Sequence, residues 1–260
     1  MAGSDLGNLE ILSQIKGTLR TSPISEHGIA RGISLIENFD ISKKDLELLL
    51  AECSGIKSFV VGITGAPGIG KSTLMNSLLL ELSKEREKIA VLAVDPSSRV
   101  SGGAILGDRI RITNDFLSKN IFFRSMATRG AYGGLNHAVE SVVYFLGKAE
   151  YSLILIETVG VGQNEIEVAS VADVVIHILD ANSGDDIQLS KAGIMEIGDI
   201  YFVNKADLAD TSGFLLKLRT SLAELKGDDS RETEVISGVA LTGAGVSEVI
   251  VKIREFRGDK

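Results

Sequence analysis

Gly65-Ala66-Pro67-Gly68-Ile69-Gly70-Lys71-Ser72 stands between a continuously apolar run, Ser58 to Thr64, and a helical stretch that opens at Thr73 and reaches about Glu85. The spacing is G-x-x-x-x-G-K-[ST] with a strand before it and a helix after it, the setting in which this pattern cradles phosphate. Glycines let backbone amides curl around phosphate oxygens, and the helix start adds the positive end of its dipole. Lys71 adds a point charge, and the Ser72 hydroxyl is a magnesium ligand. Gly65, Ala66, Pro67, Gly68, Ile69, Gly70, Lys71, Ser72 and Thr73 are the expected phosphate-binding residues, with Lys71 also expected in catalysis. Without its flanks the same pattern reads as an ordinary strand-to-helix turn in a chain with 28 glycines.

Working outward, the texture from Ile56 onward is short, β-branched apolar runs separated by helical segments, which is how strands covered on both faces read. The expected strands are Ser58 to Thr64, Ile89 to Val94, Ile121 to Phe123, Ser152 to Ile156, Val174 to Leu179, Ile200 to Val203 and Glu234 to Ile236. Alternation of strand and helix implies right-handed crossovers, a mostly parallel sheet and ligands at the carboxyl ends of the strands. The fold class expected is α/β, a P-loop NTPase with its sheet flanked by helices. Residues 1–54 read instead as helices only: Leu9 to Leu19, Ser25 to Glu37 and Lys43 to Glu52. They form an expected helical appendage to a nucleotide-binding domain of residues 55–260.

Asn204-Lys205-Ala206-Asp207 follows the strand Ile200 to Val203. A carboxylate there can accept hydrogen bonds from the ring N–H and exocyclic amine of guanine, whereas adenine presents an acceptor in the place of a donor. Asp207 is the expected guanine reader, Lys205 lays its stem on the base plane, and Asn204 ties this loop to the cradle. Val239, Ala240 and Leu241, after the strand Glu234 to Ile236, are the expected last base-side element, with the Ala240 amide meeting the guanine oxygen. The bound nucleotide is therefore expected to be GTP or GDP.

Asp95 follows the second strand, and Gly102 to Arg109 closes a glycine-rich loop containing Asp108. Magnesium needs one or two protein oxygens besides phosphate and water. Ser72, Asp95, Asp108 and Glu157 are the expected metal residues, with Asp95 otherwise a turn or cap residue. Glu157-Thr158-Val159-Gly160 stands where GTPases carry D-x-x-G; its Gly160 amide is placed to sense the γ-phosphate. Val161 cannot orient a water, although Gln163 lies two positions on, so slow intrinsic hydrolysis is expected, with Asp95 or Asp108 as water-positioning groups. Arg99, Arg109, Arg111 and Arg129 are available cations, none assigned.

Lys and Arg total 27 against 35 Asp and Glu, a net charge of −8. Such a surface repels nucleic acid and anionic lipid, so neither is an expected partner. The apolar runs fall far short of the roughly 20 residues that span a bilayer. A single cysteine, Cys53, and no basic-then-apolar start point to the cytoplasm.

Together the cradle, Asp95-Pro96-Ser97-Ser98, Gly102-Gly103-Ala104-Ile105-Leu106-Gly107-Asp108-Arg109, Glu157 to Glu165 and Asn204 to Asp207 resemble the MeaB/ArgK family of P-loop GTPases, which includes the methylmalonic aciduria type A protein. The resemblance spans about residues 10 to 250. It implies a homodimeric GTPase that acts as a chaperone for a cobalamin-dependent acyl-CoA mutase of the methylmalonyl-CoA type. In that family Lys71, Ser72, Asp95, Asp108 and Glu157 match the magnesium and phosphate residues, and Gln163 to Glu167 match a switch. Arg124 to Gly134 resembles the family's R-x-x-x-x-x-G-x-x-G-G and implies a partner-facing loop. Family members usually continue into a C-terminal arm, whereas this chain stops at Lys260, soon after the helix Val246 to Phe256. Two other readings share the fold: a nickel-type metallochaperone GTPase, for which His27, His137, His177 and Cys53 are scattered, and an ATPase or kinase of basic amino-acid transport, against which Asp207 argues.

Overall fold

The computed structural model describes residues 2–20, 24–85, 87–95, 120–127, 134–158, 168–180, 197–208, 210–226 and 233–258. Three helices come first: α1 (Ala2–Leu19), α2 (Glu26–Phe39) and α3 (Lys43–Leu49). Ser25 starts α2 by accepting from the Gly28 amide, and Ser42 starts α3 by accepting from the Asp45 amide. Each serine oxygen satisfies one of the amides a helix start leaves open. The alternation that follows is β1 (Phe59–Gly65), α4 (Lys71–Leu82), β2 (Ile89–Asp95), β3 (Ile121–Ala127), α5 (Gly134–Lys148), β4 (Leu153–Thr158), β5 (Val174–Asp180), β6 (Ile200–Asn204), α6 (Ser212–Lys226), β7 (Glu234–Ser237) and α7 (Val246–Arg257).

All seven expected strands pair in one sheet, in the order β3-β2-β4-β1-β5-β6-β7, and every pairing is parallel. β1, bearing the cradle, is central. It lies between β4, which ends in Glu157 and Thr158, and β5, which ends in Asp180. One face packs on α4 and α7 through Leu74, Leu78, Val249 and Ile253 against Val61, Ile63, Leu155 and Ile176. The opposite face carries two clusters. Ile33, Ile36, Leu46 and Phe145 from α2, α3 and α5 pack on Val60, Leu92 and Ile154. Leu218 and Leu222 of α6 pack on Tyr201 and Val203. The N-terminal helices thus share a core with the sheet; Gly32 of α2 lies so close to Phe145 that a Cβ there would sit 2.4 Å from the ring.

Element ends differ from the sequence reading where turn and edge chemistry intervene. α3 stops at Leu49 rather than Glu52, with Leu50 as its cap. α4 begins at Lys71 rather than Thr73, because Gly70 at φ +107° supplies the turn into it. β4 runs past Ile156 to Thr158, so Glu157 belongs to the strand rather than to a loop after it. β3 continues past Phe123 to Ala127, correcting the loop expected to start at Arg124: Arg124 to Ala127 pair with Leu92 to Asp95 of β2. Polar residues are tolerated there because β3 is an edge strand and Arg124 is neutralised. Its Nη2 donates to Ser34 Oγ and to Glu37 Oε2, both at 2.9 Å, stitching β3 to α2. The rest of that expected loop, residues 128–133, lies outside the described residues.

Candidate functional site

The cradle's backbone is set by glycines in conformations other residues resist. Gly65 has φ +141°, and a Cβ there would meet the Ile178 carbonyl at 2.7 Å; Gly70 at φ +107° would press a Cβ to 2.4 Å from Asn204 Nδ2. Both positions combine a left-handed backbone with a close approach, so each excludes a side chain twice over. Pro67 and Gly68 are exposed at the tip, whereas Ile69 is 4% exposed and anchors the loop in the core with α4.

Lys71 is buried, and its Nζ donates to the Gly65 carbonyl at 2.6 Å and to that of Ala66 at 3.0 Å. The ammonium is thereby held across the loop it serves. Ser72 Oγ donates to Glu157 Oε1 at 2.5 Å, across 85 positions of sequence. The cradle and the end of β4 are thus brought together as expected, with Thr73 one turn position further along α4. The donor set at this point is a hydroxyl and a carboxylate, hard oxygens that suit magnesium and not a thiol- or imidazole-seeking metal. Ser72 and Glu157 are the two candidate ligands that the structure brings into direct contact. Asp95 is the last residue of β2, beside the Ala127 end of β3. Asp108, Gly160, Val161 and the segment Gln163 to Glu167 lie outside the described residues, as do Arg99, Arg109, Arg111 and Arg129.

Asn204 closes β6 with a buried side chain that joins three loops. Its Nδ2 donates to the Ile69 carbonyl at 2.8 Å, and its Oδ1 accepts from the Ala240 amide at 2.9 Å. The Ala240 carbonyl in turn accepts from Ser77 Oγ of α4 at 2.6 Å. The loop after β7 is pinned at both backbone groups of one residue. The Ala240 amide, expected to face a guanine oxygen, is therefore engaged by Asn204 and must share its hydrogen to serve a base. Val239 is used within its own turn, bonded to the Ala244 carbonyl at 3.0 Å, and Leu241 is 84% exposed beside it.

Lys205 has φ +59°, an uncommon conformation for a residue with a Cβ. A salt bridge of 2.6 Å from its Nζ to Asp180 at the end of β5 holds it there, and the Ala206 amide donates to the Gly238 carbonyl at 3.1 Å. This leaves Asp207 exposed at the turn, free to take hydrogen bonds from a ligand. Sequence reasoning missed two contributors. Asp180 was visible as the acid that ends the run Val174 to Leu179; Ser77 carried no sequence signal, because its role depends on which helix and loop are neighbours.

His177 on β5 is 3% exposed, its ring meeting that of Tyr201 edge-on at a centroid distance of 5.8 Å. Burial, aided by the charge of Lys71, lowers its pKa to about 4, so it is neutral at ordinary pH. Burial also pushes the Tyr201 hydroxyl well above its usual range.

The chain matches the family model described as methylmalonyl Co-A mutase-associated GTPase MeaB over residues 29–259. It is 41% identical to a Pyrococcus horikoshii protein whose name says no more than that it is taken for a GTPase, covering 88% of this chain and 73% of that one. It is 31% identical to the mitochondrial methylmalonic aciduria type A homolog of Mus musculus, covering 88% of this chain and 59% of that one. Among solved structures, one described as a LAO/AO transport system kinase superposes with a TM-score of 0.67 at 24% identity, covering 96% of this chain and 75% of that one. That last likeness is one of fold.

Proposed function

The chain belongs to the MeaB family of methylmalonyl-CoA mutase-associated GTPases, and from that premise we propose that it is a magnesium-dependent GTP hydrolase serving as chaperone and gate for a cobalamin-dependent acyl-CoA mutase of the methylmalonyl-CoA type. The observation that carries the nucleotide half of this reading is the Asn204 bridge. One side chain fixes the base-side loop to the Ile69 carbonyl of the cradle and to the Ala240 amide. Base and phosphates are then read by one connected unit.

In this reading the backbone amides of the cradle between Gly65 and Thr73, all but Pro67, which has none, and Lys71 Nζ hold the phosphates, and binding requires Lys71 to turn from the Gly65 and Ala66 carbonyls towards phosphate oxygen. Ser72 and Glu157, with Asp95 and Asp108, would hold magnesium, which would supply neutralisation of phosphate charge. Asp207 accepts from the guanine edge, Lys205 and Leu241 flank the base, and the Gly160 amide reports the γ-phosphate. Val161, the residue directly after Gly160, cannot orient water, although Gln163 lies two positions on, so turnover is slow alone and Asp95 or Asp108 places the water. Slow turnover with a sensed γ-phosphate suits a timing device, in which the nucleotide state governs cofactor loading and protection of the mutase. The chain acts in the cytoplasm as a homodimer.

Single-turnover GTP hydrolysis, measured with and without the mutase holoenzyme of the same cell, tests this. The expected result is a rise of at least roughly tenfold with the mutase, as arginine- or partner-assisted GTPases show or exceed, together with co-elution that depends on the nucleotide. An unchanged rate with no co-elution in any nucleotide state refutes the chaperone role.

A further inference from the structure

A polar row crosses the sheet at the level of the cradle. Ile63 is opposite Glu157 in the β1–β4 register, which sets Thr64 beside Thr158; Thr64 is opposite His177, and His177 is opposite Tyr201. All point to the face that carries α5 and α6. Their alternate neighbours Val60, Ile154, Ile156, Leu179 and Val203 belong to that face, while Ile63, Leu155, Ile176 and Phe202 face α4 and α7. Thr64, Thr158 and His177 belong to neither apolar cluster of that face, whereas Tyr201 belongs to the one under α6.

Thr64, Thr158 and His177 are 1%, 0% and 3% exposed. Thr64 Oγ1, Thr158 Oγ1 and His177 Nδ1 have no hydrogen-bond partner, and among the described residues only Arg124 Nε shares that condition. Three of these four atoms stand side by side on adjacent strands. Unpaired buried polar atoms are costly and call for an explanation, such as a second arrangement that pairs them. The chemistry of such pairing is available within the row. The Thr158 hydroxyl can donate to Thr64 Oγ1; burial keeps the imidazole of His177 neutral, and in its Nε2-protonated tautomer Nδ1 accepts from the Thr64 hydroxyl.

The row is also coupled to the cradle through its immediate neighbours. Thr64 precedes Gly65, and Thr158 follows Glu157, the residue that Ser72 holds directly at 2.5 Å. The Ser72 hydroxyl can go on donating to the carboxylate while its lone pair meets a cation, but a contact of 2.5 Å is shorter than two oxygens on one cation keep, so loading lengthens it, and a shift of Glu157 carries Thr158 with it.

We propose that Thr64, Thr158 and His177 are positioning residues that close into a buried hydrogen-bond chain when Ser72 and Glu157 move apart to take a cation and nucleotide, so that pairing across the sheet favours the loaded cradle. The inference rests on the reading of the cradle as a magnesium–GTP site. Its test uses Thr64→Val and Thr158→Val, near-isosteric changes that remove one hydroxyl each. Melting temperature is measured without nucleotide, and affinity is measured for magnesium with a non-hydrolysable GTP analogue; the 15N resonance of His177 Nδ1 is followed in both states. Without nucleotide, each variant is expected to melt roughly 2–4 °C higher, as removal of an unpaired hydroxyl should give. Affinity for the analogue is expected to fall roughly tenfold, about one hydrogen bond. In the parent, Nδ1 should show a hydrogen-bonded acceptor only with the analogue. Variants that melt lower without nucleotide, or an Nδ1 already bonded in that state, mean that the row is paired from the start, for instance by ordered water, and overturn the proposal. A parent that binds the analogue with variants that bind as tightly refutes the row alone, whereas a parent that binds no analogue refutes the nucleotide reading itself.

Discussion

Replacing Asn204 with alanine removes both bonds that join the base-side loops to the cradle. Asn204 is 4% exposed, and the groups it leaves behind, the Ile69 carbonyl and the Ala240 amide, belong to residues 4% and 1% exposed. A buried backbone group left unpaired costs roughly 1–3 kcal/mol. Two of them give a loss of about 2–6 kcal/mol if the loops stay in place. For a chain of this size that corresponds to a fall in Tm of roughly 5–20 °C. Water reaching the groups would lessen this loss only if the loops separate, in which case the loss appears instead as weakened nucleotide binding. Thermal unfolding followed by circular dichroism, together with isothermal titration of GDP, therefore measures both outcomes. Ser77→Ala, which frees the Ala240 carbonyl, provides the partner for a double-mutant cycle; because both side chains act on Ala240, their effects should deviate from additivity by about 0.5 kcal/mol or more. A Tm within 2 °C of the parent together with unchanged GDP affinity would refute the bridge as the joint between base and phosphate sites.

Gly70→Ala should abolish nucleotide binding while the protein still folds, because a Cβ 2.4 Å from Asn204 Nδ2 displaces the bridge and the φ of +107° resists a side chain; titration calorimetry that found parental affinity would count against this. Breaking the stitch between α2 and β3 with Glu37→Ala leaves the half-buried Arg124 charge without its carboxylate, and urea unfolding should show a loss of about 1–3 kcal/mol. His177 titrates at 6.5 when unfolded and at about 4 when folded, so between those values only the unfolded chain takes the proton. Its contribution is full above pH 6.5 and is lost as pH falls towards 4, by up to about 3 kcal/mol. Stability curves of the parent and His177→Gln should therefore separate in slope between pH 6.5 and 4; parallel curves would show that His177 is not held neutral.

The parts of this molecule that could be read in the sequence are those whose chemistry is local. The cradle is eight consecutive residues with a strand before and a helix after, and its glycines stand where the backbone needs a positive φ, as at Gly70. Seven apolar runs gave seven strands. Their order was not legible, because the placement of β4 between β2 and β1 is a matter of pairing across long separations. For the same reason the sequence could name Ser72 and Glu157 but not bring them to 2.5 Å. Arg124 misled the reading of β3: a charge suggested a loop, whereas the charge is satisfied by Ser34 and Glu37 of a helix nearly ninety positions earlier. The bond from the Ala240 amide to Asn204 was not legible either, since Asn204 was assigned only to the cradle.

The reading of Asp207 as the guanine contact underlies the whole functional account, and base exchange tests it most directly. Asp207 stands exposed beside the Lys205–Asp180 salt bridge. Equilibrium binding of GTP, ATP and xanthosine triphosphate is measured for the parent and for Asp207→Asn with magnesium present. The parent should prefer GTP over both others, and the variant should lose GTP by at least roughly tenfold while gaining xanthosine triphosphate, since the amide can donate where the carboxylate only accepts. A variant that keeps the parental affinity for GTP, or a parent that prefers ATP, would contradict the account.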